Sequence, residues 1–234
     1  MQIVILAGGL GTRLRELDPL RPKALMPVAG RPFLDWQLEL LRRNGLNDVV
    51  LSIGHLGEQI EAFVKDGSAW GLRVRYAREN PRELRGTGGA LVHALPLLAD
   101  EFLMIYGDSY LPIPFAPVVD AFRNADTPAL MTVYRNRGAW DKSNARVEGN
   151  RVAFYSKTAG PGEADWIDYG LIAFRRSVIE RYQTAPVPLD MAAILSDLVA
   201  AGDLAAYEAP ERFYEIGKPE GLRELEAVLS EKRA

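Results

Sequence analysis

Cysteine is absent from the 234-residue sequence, and histidine occurs only twice, at His55 and His93. Disulfides, thiolate metal sites and a cysteine nucleophile are therefore excluded, and a histidine-rich metal site nearly so. An excess of positive charge is missing as well, since the formal net charge is −3. Binding to nucleic acid through bulk charge is not expected, although a small anionic substrate needs only a local cluster of cations.

Long hydrophobic runs are missing too. No stretch reaches the roughly 18 uninterrupted apolar residues that a membrane-spanning helix needs. The N-terminal residues lack the basic segment and long apolar segment of a secretory signal. We therefore expect a cytoplasmic protein without membrane contact. Hydrophobic residues make up 48% of the chain and charged residues 25%, the usual mix of a globular protein with a buried core.

The first half of the chain alternates short apolar segments with amphipathic ones. This pattern predicts strands at 2–7, 48–54, 73–77 and 102–106, and helices at 33–45, 57–67 and 88–100. Near-continuous apolar strands separated by helices are typical of a parallel sheet that is covered on both faces.

After residue 108 the strand segments become longer. Strands are expected at 128–136, 145–157 and 166–174, with a tight turn at Glu148-Gly149-Asn150, followed by a helix, a strand and a helix. We therefore predict an α/β fold with a mixed, mainly parallel central sheet flanked by helices. Because no low-complexity linker interrupts the sequence, we expect residues 1–234 to form a single domain.

A glycine-rich segment, LAGGLGTRL, follows the first strand directly, and PKALMPVAGRP comes shortly after it. Such loops usually hold phosphate, because their exposed backbone N–H groups form an anion-binding nest. A dinucleotide fingerprint that starts at Gly9 fails because Leu14 occupies the place of its third glycine. A Walker A loop fails because Gly11 is followed by Thr12 and Arg13. A dinucleotide-dependent oxidoreductase is therefore disfavoured.

These two segments resemble the signature of the sugar-1-phosphate nucleotidyltransferases. Four further segments resemble family motifs and occur in the family's order: Gly86-Thr87-Gly88-Gly89-Ala90, Tyr106-Gly107-Asp108, Tyr155-Ser156-Lys157 and Phe213-Tyr214-Glu215-Ile216-Gly217. The combination is specific and covers nearly all of the chain. The resemblance implies a Rossmann-like nucleotidyltransferase fold with a nucleotide-binding half at about 1–110 and a sugar-phosphate-binding half at about 111–234. A homodimer is plausible for the family.

The implied reaction joins an NTP and a sugar 1-phosphate to give an NDP-sugar and pyrophosphate. The nucleophile is a phosphate oxygen whose second pKa is about 6, so it is largely dianionic at neutral pH and needs no general base. Catalysis then depends on positioning and on neutralising the charge of two anionic substrates. By resemblance, Arg13 would contact the β- and γ-phosphates, and Lys23 would lie near the α-phosphate.

The resemblance also implies which residues bind the nucleotide. Glu79 either accepts hydrogen bonds from guanine N1–H and N2–H₂ or is an ordinary surface residue. The Gly86–Gly89 segment either contacts the base or sugar or simply starts the next helix. The expected nucleotide-binding residues are Leu6, Ala7, Gly8, Gly9, Gly11, Thr12, Arg13, Lys23, Glu79 and Gly88, and the expected catalytic residues are Arg13, Lys23 and Asp108.

Asp108 follows an apolar strand, at the edge where parallel sheets bind ligands. By resemblance it holds Mg²⁺, a hard ion that takes one or two carboxylates together with substrate phosphates. Glu215 would be the second ligand, at a place where the family usually has Asp. The alternative for Asp108 is the cap of a helix or turn.

The sugar 1-phosphate is expected to contact Asn144, Lys157, Asp168 and Gly170 by the same resemblance. Lys157 would bind the phosphate, while Asp168 and Asn144 would bind sugar hydroxyls. Ser156 stands where the family commonly has a Glu that contacts the sugar, and Asp168 stands where Asn is common. The sugar pocket is therefore expected to differ from that of many relatives.

The substrates themselves are less tightly fixed. The greatest likeness is to short guanylyl- and uridylyltransferases, which favours GTP with a mannose- or heptose-type 1-phosphate. The alternatives are UTP with an N-acetylmuramic or hexose 1-phosphate, cytidylyl transfer to phosphocholine, and a non-catalytic NDP-sugar sensor. Phosphocholine would require an aromatic cage, for which Trp140, Tyr155, Trp166 and Tyr169 are the candidates.

Overall fold

A computed structural model describes residues 1–11 and 18–231 of the chain. The strands are β1 (Gln2–Leu6), β2 (Pro27–Val28), β3 (Arg31–Pro32), β4 (Asp48–Ile53), β5 (Arg73–Arg78), β6 (Glu101–Tyr106), β7 (Ser109–Tyr110), β8 (Ala129–Arg135), β9 (Ala145–Glu148), β10 (Arg151–Tyr155), β11 (Trp166–Arg175), β12 (Leu204–Glu208) and β13 (Tyr214–Glu215). The helices are α1 (Phe33–Arg43), α2 (Gly57–Val64), α3 (Gly86–Ala94), α4 (Ala116–Asn124), α5 (Arg176–Glu180), α6 (Met191–Ala201) and α7 (Pro219–Glu231), with 3₁₀ turns at Lys23–Leu25, Ser68–Trp70 and Leu95–Leu97.

The main sheet has the strand order β5-β4-β1-β6-β11-β8-β12-β10-β9. Strands β5, β4, β1 and β6 are parallel to one another. Strand β11 runs against both β6 and β8, β12 is parallel to β8, and β10 runs against β12 and β9. The predicted mixed sheet, with most strands in one direction, is therefore confirmed.

Both faces of the sheet are covered by helices. The apolar side chains of β1 point alternately to the two faces, so each face must be buried. Ile3 and Ile5 pack in one core cluster with residues of α1, α2 and α4, including Leu38 and Phe122. Val4 packs in the other cluster with residues of α3, α5 and α6. A third cluster joins α7 to α1 and β2. This two-faced burial is what the apolar strands predicted.

The carboxyl ends of β1, β4 and β6 meet so closely that side chains are excluded there. Gly107 donates its N–H to Leu6 O at 2.9 Å, and a Cβ on Gly107 would lie 2.7 Å from that same oxygen. A Cβ on Gly54 would lie 2.9 Å from Gly8 O. The strand ends thus form a shallow edge lined by backbone, and the candidate site lies on it.

Several predicted boundaries differ from the structure. Helix 88–100 begins earlier, at Gly86, and gives way to a 3₁₀ turn that contains Pro96. The strand expected in the tail is divided: β12 joins the main sheet, while β13 pairs with β7 outside it. Helix α4 was missed because prolines surround it, although Pro117 lies in its first turn, where proline is tolerated. Helix α5 was also missed.

The pairing of β6 with β11 carries the main sheet across the expected boundary near residue 110. The division into a nucleotide half and a sugar-phosphate half stays a prediction. Within the described ranges, the helices are all too short or too polar to cross a membrane.

Candidate active site

A cavity of about 260 Å³, called here the glycine cavity, opens at the edge where β1 and β6 end. It is lined by Leu6, Ala7, Gly8, Gly9, Gly11, Lys23, Ala24, Glu79, Leu84, Gly86, Thr87, Ala90, Tyr106, Gly107 and Asp108. Seven of the ten expected nucleotide-binding residues are in this lining. Thr12 and Arg13 lie outside the described residues, and Gly88 lies elsewhere.

Lys23 and Asp108 form an ion pair at the edge of the glycine cavity. Lys23 begins the 3₁₀ turn Lys23–Leu25, and Asp108 follows the end of β6. Gly11, in the left-handed region with φ +59°, lies against the Lys23 side chain, because a Cβ there would be 3.2 Å from Lys23 Cβ. Lys23 therefore contacts both the glycine loop and Asp108 at this edge of the cavity.

Glu79 is buried inside the glycine cavity, with 7% of its surface exposed. Its Oε1 accepts a hydrogen bond from the Arg85 amide at 3.0 Å, and its Oε2 would lie 3.0 Å from a Cβ on Gly8. Burial raises the pKa of the Glu79 carboxyl, although the Arg85 amide acts in the opposite direction. The alternative of an ordinary surface residue is therefore wrong.

The Gly86–Gly89 segment faces the cavity only in part. Gly86 and Thr87 line it, whereas the amides of Gly88 and Gly89 donate to Leu189 O at 2.9 and 3.0 Å. A Cβ on Gly86 would lie 2.5 Å from Leu189 O. The glycines of this motif thus allow the backbone around residue 189 to pack against α3. The local sequence does not reveal this tertiary contact.

A second cavity, of about 180 Å³ and called here the lysine cavity, adjoins the first at Tyr106, which lines both. It is lined by Tyr106, Asp141, Lys142, Asn144, Tyr155, Lys157, Ile167, Asp168, Gly170, Phe213 and Glu215. The structure therefore brings together all four residues expected at the sugar phosphate.

Asp168 is held rigidly in the lysine cavity. Its Oδ1 accepts from the Gly170 amide at 2.9 Å, and its own amide donates to Asn144 Oδ1 at 2.8 Å. Tyr155 Oη lies 3.5 Å from Asp168 Oδ2. Burial raises the pKa of the Asp168 carboxyl to about 6, against the opposing effects of the Gly170 amide and Tyr155. Asn144 thus has its amide oxygen committed to the backbone of Asp168.

Lys157 contacts both carboxylate oxygens of Asp190, at 2.6 and 2.8 Å. Asp190 is the N-cap of α6, where its Oδ1 accepts from the Ala192 amide at 2.9 Å. The sequence signal for this cap, an Asp before an apolar helical run, was available, but the contact with Lys157 could not be read from it.

Glu215 reaches the same region through the short pairing of β13 with β7. Glu215 lies opposite Ser109, and the Ile216 amide donates to Asp108 O at 2.9 Å. A Cβ on Gly217 would lie 3.6 Å from Lys23 Nζ and 4.0 Å from Glu215 Oε2. Surrounding protein atoms and the negative charge of Asp108 raise the pKa of Glu215 to about 7, while Lys23 acts in the opposite direction.

The two carboxylates Asp108 and Glu215 fit a hard cation that also binds substrate oxygens. Their charges act on one another, and a cation between them would relieve the repulsion. Within residues 1–11 and 18–231 there is no cluster of three or more acidic, histidine or cysteine side chains that could hold a metal ion. A cation at Asp108 and Glu215 would therefore need substrate oxygens as further ligands.

A third cavity, of about 300 Å³ and called here the tryptophan cavity, borders Glu215 on its other side, between Trp140 and the start of α7. The Arg212 guanidinium lies 3.6 Å above the Trp140 ring, and that of Arg135 lies 5.4 Å from the Trp166 ring. Tyr155 lines the lysine cavity instead, and Trp166 and Tyr169 are buried. The four candidate aromatic residues do not surround one space, so they do not form the cage that the phosphocholine alternative would require.

Gln37, which the sequence analysis missed, fixes the turn that carries Asp108. It is fully buried on α1, and its Nε2 donates to Tyr106 O at 3.0 Å and to Ser109 O at 2.8 Å. The available signal was a polar residue on the apolar face of a predicted helix.

The family model described as nucleotidyl transferase matches residues 2–232. The chain belongs to the nucleotidyl transferase family. Among its relatives is the mannose-1-phosphate guanylyltransferase of Mycobacterium tuberculosis, which is 32% identical over 222 residues, covering 93% of this chain and 61% of the relative. The N-acetylmuramate alpha-1-phosphate uridylyltransferase of Neisseria meningitidis is 39% identical over 128 residues, covering 54% of each chain.

This member of the nucleotidyl transferase family thus spans between about half and three fifths of the length of these curated relatives. Among solved structures, HddC from Yersinia pseudotuberculosis complexed with GMP-PN superposes with a TM-score of 0.79, at 24% identity over 97% of this chain and 99% of that one. At this identity the likeness establishes the fold alone. Together with the family match over residues 2–232, it confirms the predicted nucleotidyltransferase fold.

The Gln37→Met variant tests whether Gln37 holds the Asp108 turn. Met has a similar volume but no donor, so carbonyls of the turn lose a hydrogen bond, and unfolding should become easier by about 1–3 kcal/mol. The backbone amide resonance of Asp108 should shift in ¹H–¹⁵N spectra.

The matched control is Gln2→Met, which removes a buried amide that donates to Asp48 and Leu97 O at the opposite end of β1. It should lower stability but leave the Asp108 resonance in place. An unmoved Asp108 resonance in Gln37→Met would contradict the positioning role.

The raised pKa of Asp168 predicts a pH dependence of stability. Between the unfolded value near 4 and the folded value of about 6, the native state binds more protons, so wild-type stability falls as pH rises through this range. Asp168→Asn keeps an acceptor for the Gly170 amide but cannot ionise. In urea unfolding at pH 4, 5, 6 and 7, the variant should gain stability relative to wild type up to about pH 6 and then stay level. Parallel pH profiles would show that Asp168 is not the group responsible.

Proposed function

We propose that this chain transfers a nucleotidyl group from an NTP to a sugar 1-phosphate and releases pyrophosphate. The observation that carries the proposal is the arrangement of two adjoining cavities, with Lys23 and Asp108 in the first and Lys157 in the second. The reaction requires that two anionic substrates be bound and brought together. Two adjoining cavities, each with a lysine, meet both requirements. The names of the two curated relatives support it.

The glycine cavity would hold the NTP. Its position at the carboxyl ends of parallel strands is where such sheets bind nucleotides. Gly8, Gly9 and Gly11 let the backbone approach the phosphates, and Lys23 supplies positive charge beside them. Arg13 is proposed as a second cation for the β- and γ-phosphates, with Thr12 beside it, on the resemblance of the loop alone.

The lysine cavity would hold the sugar 1-phosphate, with its phosphate toward Lys157 and its hydroxyls toward Asp168 and Gly170. A phosphate oxygen of the acceptor forms a bond to the α-phosphorus of the NTP. The bond from that phosphorus to the oxygen bridging to the β-phosphate breaks, and the electron pair leaves with pyrophosphate. No proton has to be removed from the nucleophile.

Asp108 and Glu215 are the residues that would hold Mg²⁺. When bound, Mg²⁺ would offset phosphate charge and polarise the α-phosphate. Lys23, paired with Asp108, would orient the α-phosphate. In this scheme Asp108 would have two cationic partners, Lys23 and the metal ion.

The nucleotide is proposed to be GTP, with a mannose- or heptose-type 1-phosphate as acceptor. Glu79 is a buried carboxylate in the glycine cavity, and its oxygens can only accept hydrogen bonds when it is ionised. Guanine offers two adjacent donors, N1–H and N2–H₂, whereas uracil offers one, N3–H. UTP is the alternative, supported by the relative named as a uridylyltransferase.

The test is release of pyrophosphate with Mg²⁺, measured for GTP, UTP, CTP, ATP and dTTP against a panel of sugar 1-phosphates and phosphocholine. Release from GTP or UTP with a sugar 1-phosphate is expected. Asp108→Asn should lower turnover at least ~100-fold, a size typical of losing one charge-stabilising group. Asp120→Asn, an exposed carboxylate on α4, is the control and should behave as wild type.

Two outcomes would contradict the proposal. Release with CTP and phosphocholine alone would mean a different acceptor. Absence of release by a folded protein that still binds nucleotide would favour an NDP-sugar sensor, and full activity of Asp108→Asn would exclude its proposed role.

Glu79→Gln tests the base-reading role. Gln replaces one acceptor with a donor and removes the charge, so the ratio of kcat/KM for GTP to that for UTP should fall about tenfold or more. Glu83→Gln, an exposed residue of the same loop, serves as the control. If the order of preference among the NTPs is unchanged in Glu79→Gln, the residue does not read the base.

A further inference from the structure

Lys157 owes its position to a carboxylate that belongs to none of the six family-like segments, that of Asp190. Its ammonium lies 2.6 and 2.8 Å from the two carboxylate oxygens of Asp190, and its side chain is 49% exposed. A lysine so exposed would otherwise sample many rotamers, since four flexible bonds connect its charge to the backbone. The contact with Asp190 selects one position at the lysine cavity.

Asp190 can do this because it is itself rigidly held. Its Oδ1 caps α6 by accepting from the Ala192 amide at 2.9 Å. The preceding residue, Leu189, is hydrogen-bonded to the start of α3 through both its N–H and its carbonyl group. Its N–H donates to Arg85 O at 2.7 Å, and its O accepts from the amides of Gly88 and Gly89. The carboxylate therefore stands on a fixed backbone.

Asp190 also contacts a residue of the glycine cavity through its Oδ1 atom. Thr87, which lines that cavity, accepts from the Met191 amide at 2.8 Å and donates a long hydrogen bond of 3.5 Å to Asp190 Oδ1. Asp190 thus contacts a lining residue of each cavity, Thr87 of the glycine cavity and Lys157 of the lysine cavity.

We propose that Asp190 is a positioning residue for the acceptor phosphate, because it holds the Lys157 ammonium in one place in the lysine cavity. An ammonium has three N–H donors, and two carboxylate oxygens leave one donor for a phosphate. This inference rests on the proposed function, because it assigns that phosphate to the sugar 1-phosphate.

The effect of Asp190 should appear in turnover more than in binding. Its negative charge repels a phosphate dianion, which weakens binding, while its hold on Lys157 removes the cost of ordering that side chain, which strengthens binding. The two effects on KM oppose one another. Orientation of the nucleophile has no such opposing effect, so loss of the contact should lower kcat.

Asp190→Asn separates the two functions of the residue, because Asn caps helices about as well as Asp but carries no charge. We expect kcat to fall about tenfold, KM for the NTP to stay unchanged, and KM for the sugar 1-phosphate to change less than kcat. The melting temperature should stay within about 3 °C of wild type, since exposed ion pairs add little stability. Asp197→Asn, an exposed carboxylate on the same helix, is the control and should match wild type.

A double-mutant cycle with Lys157→Ala shows whether Asp190 acts through the lysine. In the Lys157→Ala background, Asp190→Asn should cause no further loss of kcat. An equal loss in both backgrounds, or an unchanged kcat in the single variant, would overturn the inference while wild-type activity leaves the proposed function intact. A wild-type protein that releases no pyrophosphate with any acceptor overturns the proposed function, and this inference with it.

Discussion

The close approach of three parallel strand ends is the constraint on which the rest of the site depends. Strand β1 lies between β4 and β6. Gly54 and Gly107 follow β4 and β6 directly, because backbone atoms of residues 6–8 occupy the space that their side chains would need. This leaves an edge of backbone donors and a narrow opening to the core. Asp108 emerges from that edge directly after Gly107, and Gln37 holds the turn from below. The geometry of the carboxylate is thus set by the sheet and not by a flexible loop.

Charge at the site is balanced in pairs. Lys23 is bound to Asp108, and Lys157 is bound to Asp190, so each cation already has a carboxylate partner before substrates arrive. Such pairs fix the direction of long side chains at little gain in stability. The balance also means that the described cations do not by themselves offset two phosphorylated substrates. A divalent ion at Asp108 and Glu215, together with Arg13, would supply the remaining positive charge in the proposed reaction.

The sequence allowed much of this to be predicted where function is carried by local pattern. The alternation of apolar and amphipathic segments located β1 and its neighbouring strands. The family motifs located Lys157 and Asp168, which the fold does bring into one cavity. Residues whose partners are distant in sequence were missed. Gln37 acts on carbonyls about 70 residues away, and the carboxylate that holds Lys157 comes 33 residues later. Gly88 shows the same limit, since its surroundings are set by a segment that follows about 100 residues further on.

Glu215 illustrates how a departure from the usual residue can be accommodated. A Glu carries its carboxylate one methylene farther from the backbone than an Asp, which could remove it from Asp108. The pairing of β13 with β7 prevents this, because Ile216 is hydrogen-bonded to the backbone of Asp108 itself. On the other side, α7 packs so tightly that a Cβ on Gly221 would lie 2.0 Å from Glu215 O. The backbone of residue 215 is thus fixed from both sides. A Cβ on Gly217 would lie 3.6 Å from Lys23 Nζ and 4.0 Å from Glu215 Oε2, so the glycine leaves room for both side chains. The positive charge of Lys23, which pairs with Asp108, also favours the ionised form of Glu215 and so links the two carboxylates electrostatically.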